Sequence, residues 1–120
     1  MKPFTPAPVK PVVSLEGLKA FDIRVGTIAS VSEVPNSDRL VRLTVDFGDH
    51  RRQIVAGIRT ERADSTEIQG KQALFVVNLE AKRIRGELSE GMLFDIGYTD
   101  GITPVLAVPE REVPNGTQAG

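Results

Sequence analysis

Apolar residues at Val41, Leu43, Val45 and Phe47 alternate with Arg42, Thr44 and Asp46, which predicts a β-strand with one face buried. Gly48-Asp49 then turns the chain into a second strand over Arg51 to Ile58. Upstream, Phe21, Ile23 and Val25 alternate with Asp22 and Arg24, but the apolar phase slips past Gly26 to Ile28 and Val31, the mark of a bent or bulged strand. Pro35-Asn36-Ser37-Asp38 supplies the turn between them. Asp64 to Gly70 reads as a short capped helix ended by glycine, and Gln72 to Leu79 and Gly91 to Tyr98 read as further strands. Extended pieces follow at Ile102 to Val108 and near Val113, while Ser14 can cap a brief helix through Ala20, with Glu16 favourably placed near its start. Five principal strands with a short helix between the third and fourth predict a small all-β barrel. Residues 1–13 carry four of the eight prolines and no periodicity, so they are expected to form a flexible leader outside a domain spanning 14–120.

A chain of 120 residues is one domain by length, small enough that pairing with a second copy would help stabilise it. With no cysteine, disulfides and thiolate metal sites are excluded. Prolines stand where a signal peptide would need an apolar run and no stretch is long enough to span a bilayer, so a soluble, cytoplasmic protein without membrane contact is expected. The net charge of −1 on its face argues against a nucleic-acid binder, since such domains are usually basic overall, but the charge is segregated. Five arginines (39, 42, 51, 52, 59) lie between Asp38 and Arg59, whereas Leu88 to Gly120 holds five acids and one arginine. A cationic face on a nearly neutral molecule favours recognition of a defined shape.

The segment from Asn78 to Met92 packs Lys82, Arg83 and Arg85 into four residues between two apolar runs. A wet, cationic turn on a rigid scaffold suits a phosphate-bearing partner. Catalysis finds little support: the single histidine, His50, sits beside a hairpin turn with no nucleophile to serve, Ser89 lacks a glycine elbow, and Glu87 and Glu90 read as charge partners of the neighbouring cations. One histidine with scattered carboxylates offers no metal site. Aromatic residues amount to five Phe and one Tyr, with Phe21, Phe47, Phe75 and Phe94 in phase with core positions. Few rings remain to stack on unpaired bases, which favours phosphate and ribose contacts with folded RNA.

Phe21 to Ile28, Ser37-Asp38-Arg39-Leu40, Ala56-Gly57-Ile58-Arg59 and the Asn78 to Met92 segment, taken in order, resemble the stand-alone tRNA-binding domain also fused to the C-terminus of bacterial methionyl-tRNA synthetases. The resemblance runs from about Leu15 to Gly120 and extends to secretion chaperones of the CsaA type. It implies a five-stranded OB-fold barrel with terminal extensions that mediate homodimerisation. The implied function is non-catalytic and cofactor-free: recognition of folded tRNA, chiefly its elbow, with an aminoacyl-tRNA synthetase as a possible partner. Carried over by position, the tRNA-binding residues would be Arg39, Asn78, Lys82, Arg83, Arg85, Ser89 and Met92. Two of these have competing structural readings, since Met92 equally suits the core and Asn78 can satisfy backbone groups at a strand end. The alternatives to tRNA binding are a CsaA-type chaperone holding unfolded polypeptide and a plain dimerisation module.

Overall fold

A computed structural model describes residues 3–120. Residues 3–13 form no helix or strand and all are exposed; Met1 and Lys2, the start of the expected leader, lie outside the described residues. Helix α1 (Leu15–Lys19) is capped by Ser14, whose Oγ accepts from Gly17 N. The strands are β1 (Ile23–Glu33), β2 (Val41–Asp46), β3 (Arg51–Ala56), β4 (Gln72–Val76), β5 (Lys82–Ile84), β6 (Glu87–Ser89), β7 (Met92–Leu93), β8 (Asp95–Ile96), β9 (Val105–Leu106) and β10 (Gln118–Ala119). One curled sheet runs β3-β2-β1-β4-β7, with β10 added against β1. The single helical turn between β3 and β4, Ser65–Ile68, is a 3-10 helix capped by Asp64, and it drives the fully buried Ile68 into the core. This is the OB-like arrangement the periodicity and the resemblance predict.

The alternation at Val41 to Phe47 places Val41, Leu43, Val45 and Phe47 inside, and Phe47 meets Phe75 edge-on at 5.6 Å between ring centres. The bulge in β1 falls between Ile28 and Ser30, three residues beyond the glycine that marks the slip in sequence. Gly26 serves another purpose: a Cβ there would lie 2.5 Å from Val45 Cγ1 and 2.9 Å from the Phe47 ring. Only a residue without a side chain lets β1 press this closely on the core.

Several expectations need correction. The run from Gly91 to Tyr98 is not one strand, because β7 pairs with β4 and β8 with β9. Phe75 faces Leu93 across the sheet, so Leu93 points inward with it and Phe94 points out, 42% exposed. Phe21 is 57% exposed, since it lies in the turn that closes α1, where its N–H bonds Leu18 O, before β1 begins. Two of the four phenylalanines assigned to the core are thus surface residues, and rings are less scarce than composition implied. Near Val113 there is no strand; the Gln72 side chain bonds both the N–H and the C=O of Val113, and pairing resumes only at β10.

Candidate nucleic-acid interface

The cationic turn is a built element. β5 and β6 pair with Lys82 opposite Ser89 and Ile84 opposite Glu87, leaving Arg85 and Gly86 as a two-residue turn with φ of 52° and 81°. Two consecutive left-handed residues make the tight turn that matches strand twist. Arg83 Nη1 donates to Gly86 O at 3.2 Å, bracing it. Asn-Gly is the usual sequence signal for such a turn, and Arg-Gly with three-residue arms hid this one.

The hairpin is anchored to β3. Ser89, only 4% exposed, accepts from Val55 N at 3.0 Å and donates to Gly91 O at 3.0 Å. Glu90 N donates to Gln53 O and Gln53 N to Glu90 Oε1. Arg52 Nη1 donates to Val77 O at 2.7 Å and to Glu90 O at 3.1 Å, and Arg42 pairs with Glu87 at 3.1 Å. Glu87 therefore answers an arginine of β2, not the neighbouring Arg85. These bonds close the barrel at the place where β3 lacks a full strand partner.

The second contributor is the turn before β2. Ser37 Oγ accepts from Arg39 N at 3.3 Å and Leu40 N at 3.1 Å. Arg59 donates from Nη1 to Ser37 O, pairs with Glu33 at 2.9 Å, and bonds Arg39 O through its own N–H. The backbone of Arg39 is pinned while its side chain is left exposed.

Between this turn and the hairpin lies an open groove of about 630 Å³, floored by the end of β3 and lined by Arg39, Arg85, Met92, Phe94 and Tyr98. This is the side of an OB barrel, flanked by the loops after strands one and four, that such folds use for oligonucleotides. Met92 is 46% exposed, which removes it from the core. The structure thus brings Arg39, Arg85 and Met92 to one groove, with Lys82 and Arg83 exposed on the adjoining arm of the hairpin. It separates the other two candidates. Ser89 is committed to the barrel seam. Asn78 accepts from Asp22 N and donates to Ala20 O, both at 2.8 Å, tying the end of β4 to the α1–β1 link.

Charge pairing sharpens the picture. Among the described residues Arg24, Arg42, Arg51, Arg59, Arg62 and Arg111 each have a carboxylate within ion-pair distance, and Arg52 bonds carbonyls. The basic middle of the chain is largely neutralised. Among the same described residues Arg39, Lys82, Arg83 and Arg85 have no such partner. Two carboxylates that sequence reasoning missed also line the groove, Glu61 and Asp95. Burial pushes the Asp95 carboxyl above its usual range; burial raises Glu61 too, helped by the nearby negative charge of Asp95 and opposed by Arg62.

A model of the family described as "Putative tRNA binding domain" matches residues 23–118. The methionine–tRNA ligase of Methanothrix thermoacetophila is 42% identical over 107 residues, covering 89% of this chain and 15% of that protein. The ligase of Porphyromonas gingivalis strain W83 is 38% identical over 112 residues, 93% of this chain and 16% of that one. The chain therefore spans about 15% of the length of the curated relatives it matches. Among solved structures, a MetRS related protein from Pyrococcus horikoshii superposes with a TM-score of 0.84 at 32% identity, covering 92% of this chain and all (100%) of that one. The chaperone CsaA from Bacillus anthracis str. Ames superposes with a TM-score of 0.79 at 32% identity, with the same coverage, 92% and 100%.

Proposed function

The chain belongs to the family of putative tRNA-binding domains, and on that footing we propose that it binds folded tRNA by shape, without catalysis, through the groove and the hairpin beside it. The observation that carries the reading is the gathering of Arg39, Lys82, Arg83 and Arg85, cations without carboxylate partners among the described residues, on two braced loops, the hairpin tied to β3 and the Arg39 turn to Arg59 just beyond it. Arginine grips a phosphate with two parallel hydrogen bonds, and loops braced by the Arg59 and Gln53 bonds hold that geometry before the ligand arrives. A synthetase supplied with tRNA in trans is the partner that the ligase relatives suggest, and the cytoplasm is the compartment. The molecule works as a homodimer. Leu15, Leu18 and Phe21 in and after α1, and Ile96, Ile102, Val105 and Val108 around β8 and β9, leave apolar surface exposed, more than a monomer needs to show. The second stretch reaches the C-terminal extension only as far as Val108, because much of the tail beyond it is engaged with β1 and Gln72.

The exposed Met92, Phe94 and Tyr98 also favour a second reading, a CsaA-type chaperone whose groove holds unfolded polypeptide. One titration separates the two, with folded tRNA, an unstructured RNA of equal length and an unfolded protein each added to protein whose mass is followed by light scattering. The expected result is a dimer that prefers folded tRNA, with a log-log salt slope of roughly −2 to −5 for about 3 to 6 phosphate contacts. Preference for the unfolded protein contradicts it, and a monomer at tens of micromolar removes the dimer.

A further inference from the structure

If the groove served only to hold phosphates, its lining would be cationic throughout. It is not. Arg39 and Arg85 face a wall that includes Asp38, Glu61 and Asp95, three acids to two cations. Among the described residues the Glu61 and Asp95 side chains have neither an ion pair nor a hydrogen bond, although both are partly buried. Burial holds both carboxyls above their usual range, a sign that each lacks the donors its oxygens would find in water. Beside them the apolar surface of Met92, Phe94 and Tyr98 is open to the groove, with Tyr98 66% exposed. A cleft of about 630 Å³ falls within the size of small-molecule sites, roughly 300 to 1,000 Å³.

A ligand that suits every part of this lining carries a flat face for the rings, adjacent N–H donors for the carboxylates and a phosphate for the arginines. Resting on the reading that the ligand is RNA, we propose that the groove captures one unstacked guanine nucleotide, with Asp95 and Glu61 accepting hydrogen bonds from the N1–H and N2–H₂ of the base. Guanine presents two adjacent donors on its Watson–Crick edge, which a carboxylate accepts side by side. On adenine and cytosine the exocyclic donor stands next to a ring nitrogen whose lone pair repels a carboxylate. Uracil offers a single N–H between two carbonyls. Splayed bases held between ring stacking and edge contacts are the ordinary mode of single-nucleotide recognition in RNA. Phe94 and Tyr98 supply the faces, and Arg39 and Arg85 take the phosphate.

The test is a nuclear magnetic resonance titration of the full chain with the four ribonucleoside 5′-monophosphates, with folded tRNA and an unfolded peptide titrated in parallel. GMP is expected to shift the signals of Phe94, Asp95 and Tyr98 and to bind roughly tenfold more tightly than AMP, CMP or UMP, as one charge-assisted hydrogen bond would give. Asp95→Asn and Glu61→Gln, which keep side-chain size, should each remove most of that preference while leaving the thermal midpoint in place. Equal binding of all four nucleotides, or shifts lying outside the groove, overturns the inference. If tRNA binds but no nucleotide perturbs the groove, base capture fails and the tRNA reading stands. If GMP binds selectively and tRNA does not, the reverse holds. Shifts produced by an unfolded peptide alone assign the groove to polypeptide and reject it.

Discussion

Replacing Lys82, Arg83 and Arg85 together by alanine is expected to weaken tRNA binding about 100-fold, on the order of 1 kcal/mol for each phosphate contact. The salt slope should become shallower by roughly 2 to 3, since each neutralised phosphate contributes about 0.9. Folding should be nearly untouched. Among the described residues none of the three has a carboxylate partner, all are exposed, and the side-chain bond lost is that from Arg83 to the turn carbonyl of Gly86. Arg85 already occupies a left-handed position at φ 52°, so alanine there meets the same backbone cost. A titration read by filter binding, with a thermal melt of the same sample, checks both halves. Undiminished binding would move the site elsewhere, and a collapsed melting point would make the hairpin structural.

Ser89→Ala is expected to do the opposite. Its hydroxyl serves Val55 N–H and Gly91 C=O at the closure of the barrel. Removing it strands the buried Val55 N–H and the half-buried Gly91 carbonyl at a cost of about 1 to 3 kcal/mol. The melting temperature should fall by roughly 4 to 15 °C for a domain of this size, with tRNA affinity unchanged within about twofold once the protein is folded. Loss of affinity with an unchanged melting temperature would return Ser89 to the binding surface, where the family resemblance places it.

Strands with one face buried were legible because a period of two leaves a direct trace, as at Val41 to Phe47. Capped turns were legible for the same kind of reason, and Ser14 and Asp64 cap where they were expected to. What escaped depends on partners distant in sequence. Phe94 reads as a core residue until Leu93 is seen opposite Phe75, and the Gly91 to Tyr98 run reads as one strand until its halves pair with different neighbours. The cationic segment announced itself, but its hairpin did not, since Arg85 takes a conformation that sequence assigns to glycine or asparagine. Charge counting overstated the basic middle, because Arg42, Arg51 and Arg59 are answered by Glu87, Asp46 and Glu33, of which only Asp46 lies directly opposite its arginine, across β2 and β3. Glu61 and Asp95 carry no motif, and only the groove makes them conspicuous.

Folded tRNA is expected to lie against the groove and the hairpin together. The most direct test is to record backbone amide signals of the isotope-labelled protein while folded tRNA is added at low salt. Attenuation is expected to concentrate at Arg39, at Lys82 to Arg85 and at Met92 to Asp95, with Asn78 and the Asp49-His50 turn unaffected. Attenuation centred on α1, on the Asp49-His50 turn or spread evenly over the surface would contradict that placement.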